Sequence, residues 1–574
     1  MRSSFQSGRA ALLVFLTLVA AGCRGEDPLP QRLKERLASV FDAGAKDPTP
    51  DELRQALVRQ LRVAPGTVPS RETINDFYAQ HGHRLIWSDG SGKAAPATTT
   101  LLEALRRAED HGLNPAEYAS ERLDALAKQI GEGGSDERAA ATLADFDLLL
   151  TTAFFRYASD VSTGRVHPDE VQKDWHTNPP ELDLAKALDE ALARNNLATL
   201  LESLPPPHPG YARLRQSLRN LREVEAAGGW PTIPPGPKLA SGSTGPRVAM
   251  LRRRLSESAA APSERFDAAL ATSVRGFQSA HGIEPDGVVS DDTLAELNVP
   301  AGERIRQVEL NLERWRWIPR DLGDPHVIVN IPGYDLELAR KDEEPWRTRV
   351  VAGKVYTPTP VFSDRIVAIV VNPPWNVPES IAKGEFLPEL QENPGTFARK
   401  GIRILEGSGE KAREVDPRRV KWSDVDPEHF PYRFRQDPGK ENPLGRVKFD
   451  LTNEFHVYLH DTPAGGVFSR TDRDLSHGCI RVENALDLAN QIASEASKEK
   501  ISEALEQPEE RRIPLDSKIR VHLLYWTAWT DKVGNLHFVP DVYGFDKTQR
   551  AALDRVASHP DRITRHSKNK AGGA

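Results

Sequence analysis

The segment 455–484 constrains the fold of this chain most, because it combines a strand pattern with a single reactive side chain. Apolar residues alternate with histidine and tyrosine from Phe455 to His460. A strand with this period buries the apolar set and presents both histidines and the tyrosine on its opposite face. Cys479 follows, beside a histidine and a glycine and ahead of an apolar run compatible with a helix. The pattern therefore predicts that one of the strand histidines faces the sulfur.

Cys479 is a candidate nucleophile, and its chemistry requires a base from elsewhere in the fold. A free thiol is mostly protonated at neutral pH, whereas a thiolate paired with an imidazole attacks carbonyl carbons well. His477 lies two residues from the thiol, where its ring needs a contorted path to reach the sulfur. His460, at the end of the predicted strand, is better placed to approach across a groove. We therefore predict that His460 is the base.

The residues next to the thiol also indicate how an oxyanion is held. Gly478 permits a turn that other residues resist. If the chain is helical from Val482 onward, the backbone N–H groups of Gly478 and Cys479 lie near a helix N-terminus. In that position they stabilise an oxyanion and depress the pKa of the thiol.

The order of these residues resembles the signature of a known family. His460 is followed, after fifteen residues, by the run Ser476-His477-Gly478-Cys479-Ile480-Arg481. This pattern is similar to that of the L,D-transpeptidases, whose catalytic domain is called YkuD-type. The resemblance implies that Cys479 is the acylated nucleophile and His460 its base. It also implies that the backbone carbonyl of Asp461 orients the imidazole ring.

The resemblance extends to the residues around this pair. Ser476, His477 and Tyr458 are expected to contribute to the substrate groove. The family often has Asn two residues after the cysteine, whereas this chain has Arg481, as do the larger periplasmic members. We interpret Arg481 as a cation for a substrate carboxylate.

No metal or organic cofactor is implied by the resemblance. By ligand type alone, a zinc site remains an alternative, and its ligands are His460, Asp461, His477 and Cys479. The spacing of the serine-histidine-glycine-cysteine run favours an acyl-transfer turn instead.

The N-terminus predicts export. Arg2 and Arg9 precede an apolar run that ends at Gly22-Cys23, which is typical of a secretory signal over residues 1–23. Ala20-Ala21-Gly22 before Cys23 resembles a bacterial lipobox, so we expect a lipid anchor on Cys23 and a periplasmic protein attached to the outer membrane. Ordinary signal cleavage nearby is the alternative. A net charge of −7 without a basic block gives no reason to propose nucleic acid as a partner.

Export makes the cysteine count informative. The chain has two cysteines, and one lies in the signal region. Cys479 is therefore unpaired in an oxidising compartment, which indicates a functional thiol, although a buried inert cysteine is the alternative.

The rest of the chain divides into further predicted units. Residues 24–69 are expected to form a tether with weak helices, the second beginning with a capping box at Thr49-Pro50-Asp51-Glu52. Residues 70–225 are helical by pattern and resemble the scaffold domain of YcbB-like L,D-transpeptidases. A proline-rich linker follows, and residues 239–299 resemble a three-helix peptidoglycan-binding domain. A three-helix unit with no ligand affinity is the alternative for residues 239–299.

Short apolar strands predict a mainly β catalytic domain over residues 324–530, with an inserted lid at about 379–441. A C-terminal hairpin extension and tail are expected over residues 531–574. The predicted fold class is thus multidomain α+β. It comprises a helical scaffold domain, a three-helix peptidoglycan-binding domain and a mainly β, YkuD-type catalytic domain.

These expectations lead to a hypothesis on function. The resemblance implies a peptidoglycan L,D-transpeptidase, an acyltransferase that forms 3–3 cross-links between stem peptides and reacts with carbapenems. Its partners are expected to be stem peptides, glycan, the membrane and other wall-synthesis proteins. Two alternatives use the same acyl-enzyme, namely an L,D-carboxypeptidase or endopeptidase and a lipoprotein-attaching enzyme. A non-catalytic lipoprotein that binds the cell wall is a third.

Overall fold

The structure is a computed structural model that describes residues 49–63, 71–88, 94–132, 136–255, 263–395, 397, 400–407 and 412–558. The predicted signal segment and Cys23 lie outside the described residues. No helix in the described ranges is long and apolar enough to cross a membrane.

The first half of the described chain is helical. Its α-helices are, in chain order, α1 Pro50–Val63, α2 Arg71–Gln80, α3 Pro96–Arg106, α4 Ser120–Glu132, α5 Asp136–Thr163, α6 Pro168–Val171, α7 Leu184–Ala193, α8 Leu197–Ser203, α9 Pro209–Ala226, α10 Pro246–Leu255, α11 Ala268–Ala280, α12 Asp291–Leu297 and α13 Ala301–Trp315. Helices α1 to α5, α7 and α8 share one apolar core, whereas α10 to α12 enclose another.

Helix α1 begins at the predicted capping box. The Thr49 N–H donates to Glu52 Oε2 at 2.7 Å, and the Glu52 N–H donates to Thr49 Oγ1 at 3.4 Å. The leucine face of α1 is buried in the helical core rather than exposed on a tether, with Leu57 fully buried. The predicted tether over residues 24–69 is therefore wrong for α1, because an amphipathic helix gains stability by burying its apolar stripe.

The second half is mainly β. Its strands are β1 His326–Asn330, β2 Asp335–Ala339, β3 Trp346–Gly353, β4 Phe362–Val371, β5 Trp375–Asn376, β6 Ile402–Glu406, β7 Arg413–Glu414, β8 Tyr432–Gln436, β9 Val447–Asp450, β10 Leu459–His460, β11 Asp474–Ser476, β12 Ile480–Val482, β13 Arg511–Leu524, β14 Ala528–Thr530 and β15 Leu536–Phe538. Nine of them form a sheet in the order β11-β3-β12-β10-β9-β4-β13-β1-β2. Because β2 also pairs with β3, this sheet closes on itself.

The helices of the second half lie between and after these strands. They are α14 Glu379–Ile381, α15 Leu387–Glu392, α16 Ala485–Ile492, α17 Glu495–Leu505 and α18 Phe545–Ser558. The sequence did not predict α18, whose Phe545 and Ala552 are buried in the core of the sheet domain. The described residues thus form a multidomain structure with a helical N-terminal region and a β-rich C-terminal domain.

The chain between β4 and β9 forms a separate small unit, here called the insertion. A four-stranded sheet, in the order β5-β8-β6-β7, packs with α14, α15 and a π-helical turn at Ala382–Phe386. The insertion has its own apolar core, in which Leu390 and Phe397 are fully buried. Asn442 connects the two ends of the insertion, since its side chain donates to the Pro373 carbonyl at 3.0 Å.

The scaffold region also contacts the sheet domain. Trp175, which follows α6, is buried among the aromatic side chains of the sheet-domain core, and its ring centroid lies 5.0 Å from that of Trp317. Trp175 also forms an isolated bridge with Val361, the residue before β4. The helical region therefore packs directly against the start of a central strand.

Candidate active site

The predicted site residues meet where β10 and β12 pair in parallel. Leu459 lies opposite Ile480, and His460 lies opposite Arg481. Leu459 and Ile480 are fully buried in the core of the sheet domain. Because side chains alternate along a strand, the neighbours of these two residues share the other face of the sheet. The residues on that face are Tyr458, His460, Cys479 and Arg481.

The strand that carries His460 is shorter than predicted. It comprises Leu459 and His460 alone, and His456 has a φ of +56°, which is incompatible with an extended strand. Of the two histidines expected on the face opposite the apolar residues, His456 is exposed and His460 is buried, at 4% exposure. The prediction of one regular strand from Phe455 to His460 is therefore wrong in its length.

The His460 ring has a defined tautomer. Its Nδ1 lies 2.6 Å from the backbone oxygen of Asp461, the contact that the family resemblance implied. A carbonyl oxygen only accepts hydrogen bonds, so Nδ1 carries the proton and Nε2 has a free lone pair. Burial lowers the pKa of His460 to about 3, and the charges of Arg481 and Lys448 act in the same direction. The ring is therefore neutral at pH 7 and able to accept a proton at Nε2.

Cys479 is a free, partly exposed thiol. Its Sγ lies 3.9 Å from the backbone oxygen of His456, and no hydrogen bond joins it to His460 in this structure. Burial raises the pKa of the thiol, while hydrogen bonding from the main chain and hydroxyl of Tyr458 opposes that rise. The thiol and the imidazole are therefore both neutral at rest. This corrects the expectation of a depressed thiol pKa.

The expected helix N-terminus is not next to Cys479. Val482 belongs to strand β12, and the following helix, α16, begins at Ala485. The Gly478 N–H is also occupied, because it donates to Ser476 Oγ at 3.1 Å. An oxyanion would have to displace Ser476 Oγ to accept the Gly478 N–H, and the predicted role of Gly478 stays a prediction. Among the described hydrogen bonds, none uses the Cys479 N–H as a donor, so this group stays available to an oxyanion.

Ser476 instead stabilises the turn that presents the thiol. Its hydroxyl donates to the Cys479 carbonyl at 2.6 Å and accepts from the Gly478 N–H. Gly478 has a φ of +106°, which side-chain-bearing residues rarely adopt. Thr359 closes the turn from the other side by donating to the Gly478 carbonyl at 2.8 Å.

His477 points toward the insertion rather than toward the sulfur. Its Nε2 lies 2.5 Å from Glu385 Oε1, in the π-helical turn of the insertion. The choice of His460 rather than His477 as the base stays a prediction. The contact joins the thiol-bearing turn to the insertion.

Arg481 is a half-buried cation next to the thiol. Among the described side chains, none forms an ion pair with it, whereas the nearby Lys448 pairs with Asp450 at 2.9 Å. Burial lowers the pKa of Arg481, and the proximity of Cys479 opposes this shift. An unpaired guanidinium at such a site is suited to a carboxylate.

The zinc alternative finds no geometric support. Within the described ranges, no three histidine, cysteine, aspartate or glutamate side chains are close enough together to hold a metal ion. In particular, the Asp461 carboxylate accepts the backbone N–H groups of Thr462 and Arg446 instead, at 2.7 and 2.8 Å.

Three regions of the chain match models of known protein families. Residues 324–504 match the family model described as the L,D-transpeptidase catalytic domain, YkuD. Residues 324–504 form an L,D-transpeptidase catalytic domain. Residues 72–218 match the model of a scaffold domain. Residues 244–297 match the model described as "Putative peptidoglycan binding domain".

A curated relative carries a corresponding name. The chain is 35% identical over 246 residues to a Haemophilus influenzae protein named "Putative L,D-transpeptidase". The alignment covers 42% of this chain and 48% of the relative, so the chain spans about half the length of that protein.

Solved L,D-transpeptidases resemble the chain more distantly. The Xylanimonas cellulosilytica enzyme (residues 123–326) is 17% identical and has a TM-score of 0.17. The match covers 50% of this chain and 99% of that enzyme's chain. The Mycobacterium smegmatis enzyme is 12% identical, covers 34% of this chain and 58% of its own, and has a TM-score of 0.16. These TM-scores are too low to indicate a shared overall fold.

Sequence reasoning missed three residues beside the thiol of the L,D-transpeptidase domain. Lys448 lies opposite His460 on β9, and its Nζ lies 4.6 Å from the centroid of the Tyr458 ring. His456 supplies the carbonyl next to Sγ, and Asn453 holds the loop that contains His456. The role of Asn453 could have been predicted from the sequence, because asparagine often hydrogen-bonds the backbone two residues ahead. The position of Lys448 could not, because it depends on the pairing of β9 with β10.

Proposed function

We propose that this protein is a peptidoglycan L,D-transpeptidase that forms 3–3 cross-links through a thioester on Cys479. The observation that carries the proposal is the parallel pairing of β10 with β12. It aligns on one face the thiol, a neutral imidazole and a guanidinium that has no ion-pair partner among the described residues. The family match of residues 324–504 supports the general activity. The match of residues 244–297 supports peptidoglycan as the substrate.

The proposed first step is acylation. The Cys479 Sγ attacks the carbonyl carbon of the peptide bond that follows the third residue of a donor tetrapeptide, while its proton moves to Nε2 of His460. The tetrahedral oxyanion is stabilised by the Cys479 N–H and the Tyr458 hydroxyl. The C–N bond then breaks, and the terminal D-alanine leaves with the proton from His460.

The second step is transfer. The side-chain amine of an acceptor stem attacks the thioester carbon and gives its proton to His460. The C–S bond breaks, and the thiolate recovers that proton. The thiol and the imidazole are both neutral at rest. In each step His460 takes up one proton and gives it away again, so the pair begins and ends the step without net charge. Arg481 binds the terminal carboxylate of the donor stem until D-alanine leaves.

The test is mass spectrometry after incubation with a disaccharide-tetrapeptide. The expected result is a Cys479 adduct that lacks D-alanine, together with cross-linked dimers. Cys479→Ala is expected to give neither. A released tripeptide without dimers would indicate a carboxypeptidase, and transfer to a lipoprotein would indicate an attachment enzyme. Absence of any adduct with peptide or carbapenem would indicate a non-catalytic wall-binding protein.

The location of the protein is part of the same proposal. A substrate in the cell wall requires an exported enzyme, and Cys23 is proposed as the site of its lipid anchor. Incorporation of labelled palmitate into the wild-type protein, but not into Cys23→Ala, is the expected result. Equal labelling of both proteins would exclude Cys23 as the site of the lipid anchor.

A further inference from the structure

The loop 452–457 provides a main-chain oxygen that accepts from the nucleophile. The His456 carbonyl lies 3.9 Å from the Cys479 Sγ, in the geometry of a thiol that donates to it. His456 adopts a φ of +56°, a left-handed conformation that is uncommon for residues with a side chain. Such a conformation persists where surrounding contacts impose it. The contacts that impose this conformation are therefore candidates for positioning the His456 carbonyl beside the thiol.

Asn453 supplies those contacts from both sides of His456. Its Oδ1 accepts the backbone N–H groups of Phe455 and Val457, each at 3.1 Å. Its Nδ2 donates to the Val457 carbonyl at 2.8 Å. The residues before and after His456 are thus tied to one side chain, which leaves the intervening peptide little freedom.

Asp364 fixes Asn453 to the main sheet. Its Oδ2 accepts from Asn453 Nδ2 at 3.2 Å and from the Thr452 N–H at 2.8 Å, while Oδ1 accepts the Thr452 hydroxyl. Asp364 lies on strand β4, where it pairs with Val521 of β13. Hydrogen bonds to a carboxylate are stronger than those between neutral groups, so this link anchors the loop firmly.

A second anchor comes from the scaffold. The His176 ring stacks on the Phe455 ring, with centroids 4.2 Å apart and planes at 21°. Phe455 also contacts Phe362 of β4, at 5.2 Å between centroids. The loop is therefore held between the sheet and the segment that follows α6.

We infer that Asn453, supported by Asp364, is a positioning residue that holds the His456 carbonyl against the Cys479 thiol. The inference rests on the proposed function in that it assigns the thiol to catalysis. An acceptor for the S–H proton stabilises the neutral thiol and disfavours the thiolate. The loop thereby fixes the side-chain conformation of Cys479 before substrate arrives, and the sulfur turns from His456 to His460 when the substrate carbonyl approaches.

The measurement is the pH dependence of alkylation of Cys479 by iodoacetamide in the full chain, resolved by peptide mass spectrometry so that Cys23 does not interfere. Asn453→Ala frees the His456 carbonyl. The midpoint of alkylation is expected to fall by about one pH unit, which gives about tenfold more thiolate at a pH below both midpoints. The other groups that face the sulfur, Tyr458, Lys448 and Arg481, are unchanged by this substitution.

A control makes the result specific. Asn535→Ala removes a similar asparagine contact, to Asp531 in the turn between β14 and β15, and is expected to leave the midpoint in place.

An unchanged midpoint in a folded Asn453→Ala protein would overturn the inference. If that variant does not fold, Asp364→Ala is measured instead, with the same expected fall and the same contrary result. Alkylation requires neither donor nor acceptor peptide. A shifted midpoint in a protein that forms no cross-links would therefore refute the proposed function and leave the positioning role intact.

Discussion

The Nε2 of His477 and the Oε1 of Glu385 lie 2.5 Å apart and connect the thiol-bearing turn to the insertion. The insertion has its own apolar core, separate from that of the closed sheet. Its position beside the turn makes it suited to cover a bound peptide.

Glu385→Ala is expected to loosen the insertion without unfolding the protein. The Glu385 side chain is 53% exposed, and exposed ion pairs contribute roughly 0–1 kcal/mol to stability. Hydrogen exchange of the backbone at Ala382–Phe386 is therefore expected to accelerate, while the melting temperature stays close to that of the wild type. Equal exchange rates in the two proteins would show that the contact does not restrain the insertion.

Glu379→Ala is the matched control. Glu379 pairs with Lys383 at 2.5 Å within the insertion, does not contact the turn and is more exposed than Glu385. This substitution is expected to leave hydrogen exchange at residues 476–479 unchanged, whereas Glu385→Ala accelerates it.

The buried neutral His460 gives a second prediction. Its pKa is lowered to about 3, mainly by burial, whereas an unfolded histidine has a pKa of about 6.5. The unfolded state therefore binds an additional proton between these values. Folding stability attributable to His460 is fully present above pH 6.5 and is lost as the pH falls toward 3.

His460→Gln removes this contribution to the pH dependence. Between pH 6 and 4 the free energy of unfolding of the wild type is expected to fall more steeply than that of the variant, by about 1.4 kcal/mol per pH unit. The comparison is made by urea unfolding of both proteins across this range. The other buried histidines are common to both proteins. If the two plots of unfolding free energy against pH were parallel, His460 would be protonated in the folded state as it is in the unfolded state.

How far the sequence predicted the site depended on whether each feature was local. The Asp461 contact was implied by the family resemblance and is present in the structure, whereas the roles of Cys479 and His460 stay predictions. The occupied Gly478 N–H and the neutral thiol could not be predicted, because they depend on burial and on Ser476 Oγ. Val482 illustrates the difficulty, since an apolar residue before a helix is compatible with a short strand as well.

The same distinction between local and distant contacts applies to the fold. The capping box at Thr49 predicted the start of α1, because the contacts of a cap lie within four residues. The burial of Leu57 could not be predicted, since it depends on packing against the distant helix α5. The buried face of α18 was also missed, because its apolar positions are few and its partner is the closed sheet.

Arg481 gives a third prediction, about substrate recognition. As an unpaired cation beside the thiol, it is proposed to bind the terminal carboxylate of the donor tetrapeptide. Arg481→Met is expected to raise KM for the tetrapeptide about tenfold, because hydrogen bonds to charged groups contribute roughly 1.5–3 kcal/mol. A donor whose terminal carboxylate is amidated is expected to be used equally by wild type and variant. A similar loss with both donors would assign Arg481 to another part of the substrate.

The burial of α1 gives a fourth prediction, which tests whether the helical region begins before residue 70. Leu57 is fully buried in the scaffold core, and removing such a side chain leaves a cavity. Leu57→Ala is therefore expected to lower the free energy of unfolding by roughly 2–5 kcal/mol, measured as the loss of helical circular dichroism in urea. Leu182→Ala is the control, because Leu182 is 41% exposed and its truncation is expected to cost less than about 0.5 kcal/mol. If both substitutions left the transition unchanged, α1 would be a tether helix that contributes nothing to the stability of the scaffold.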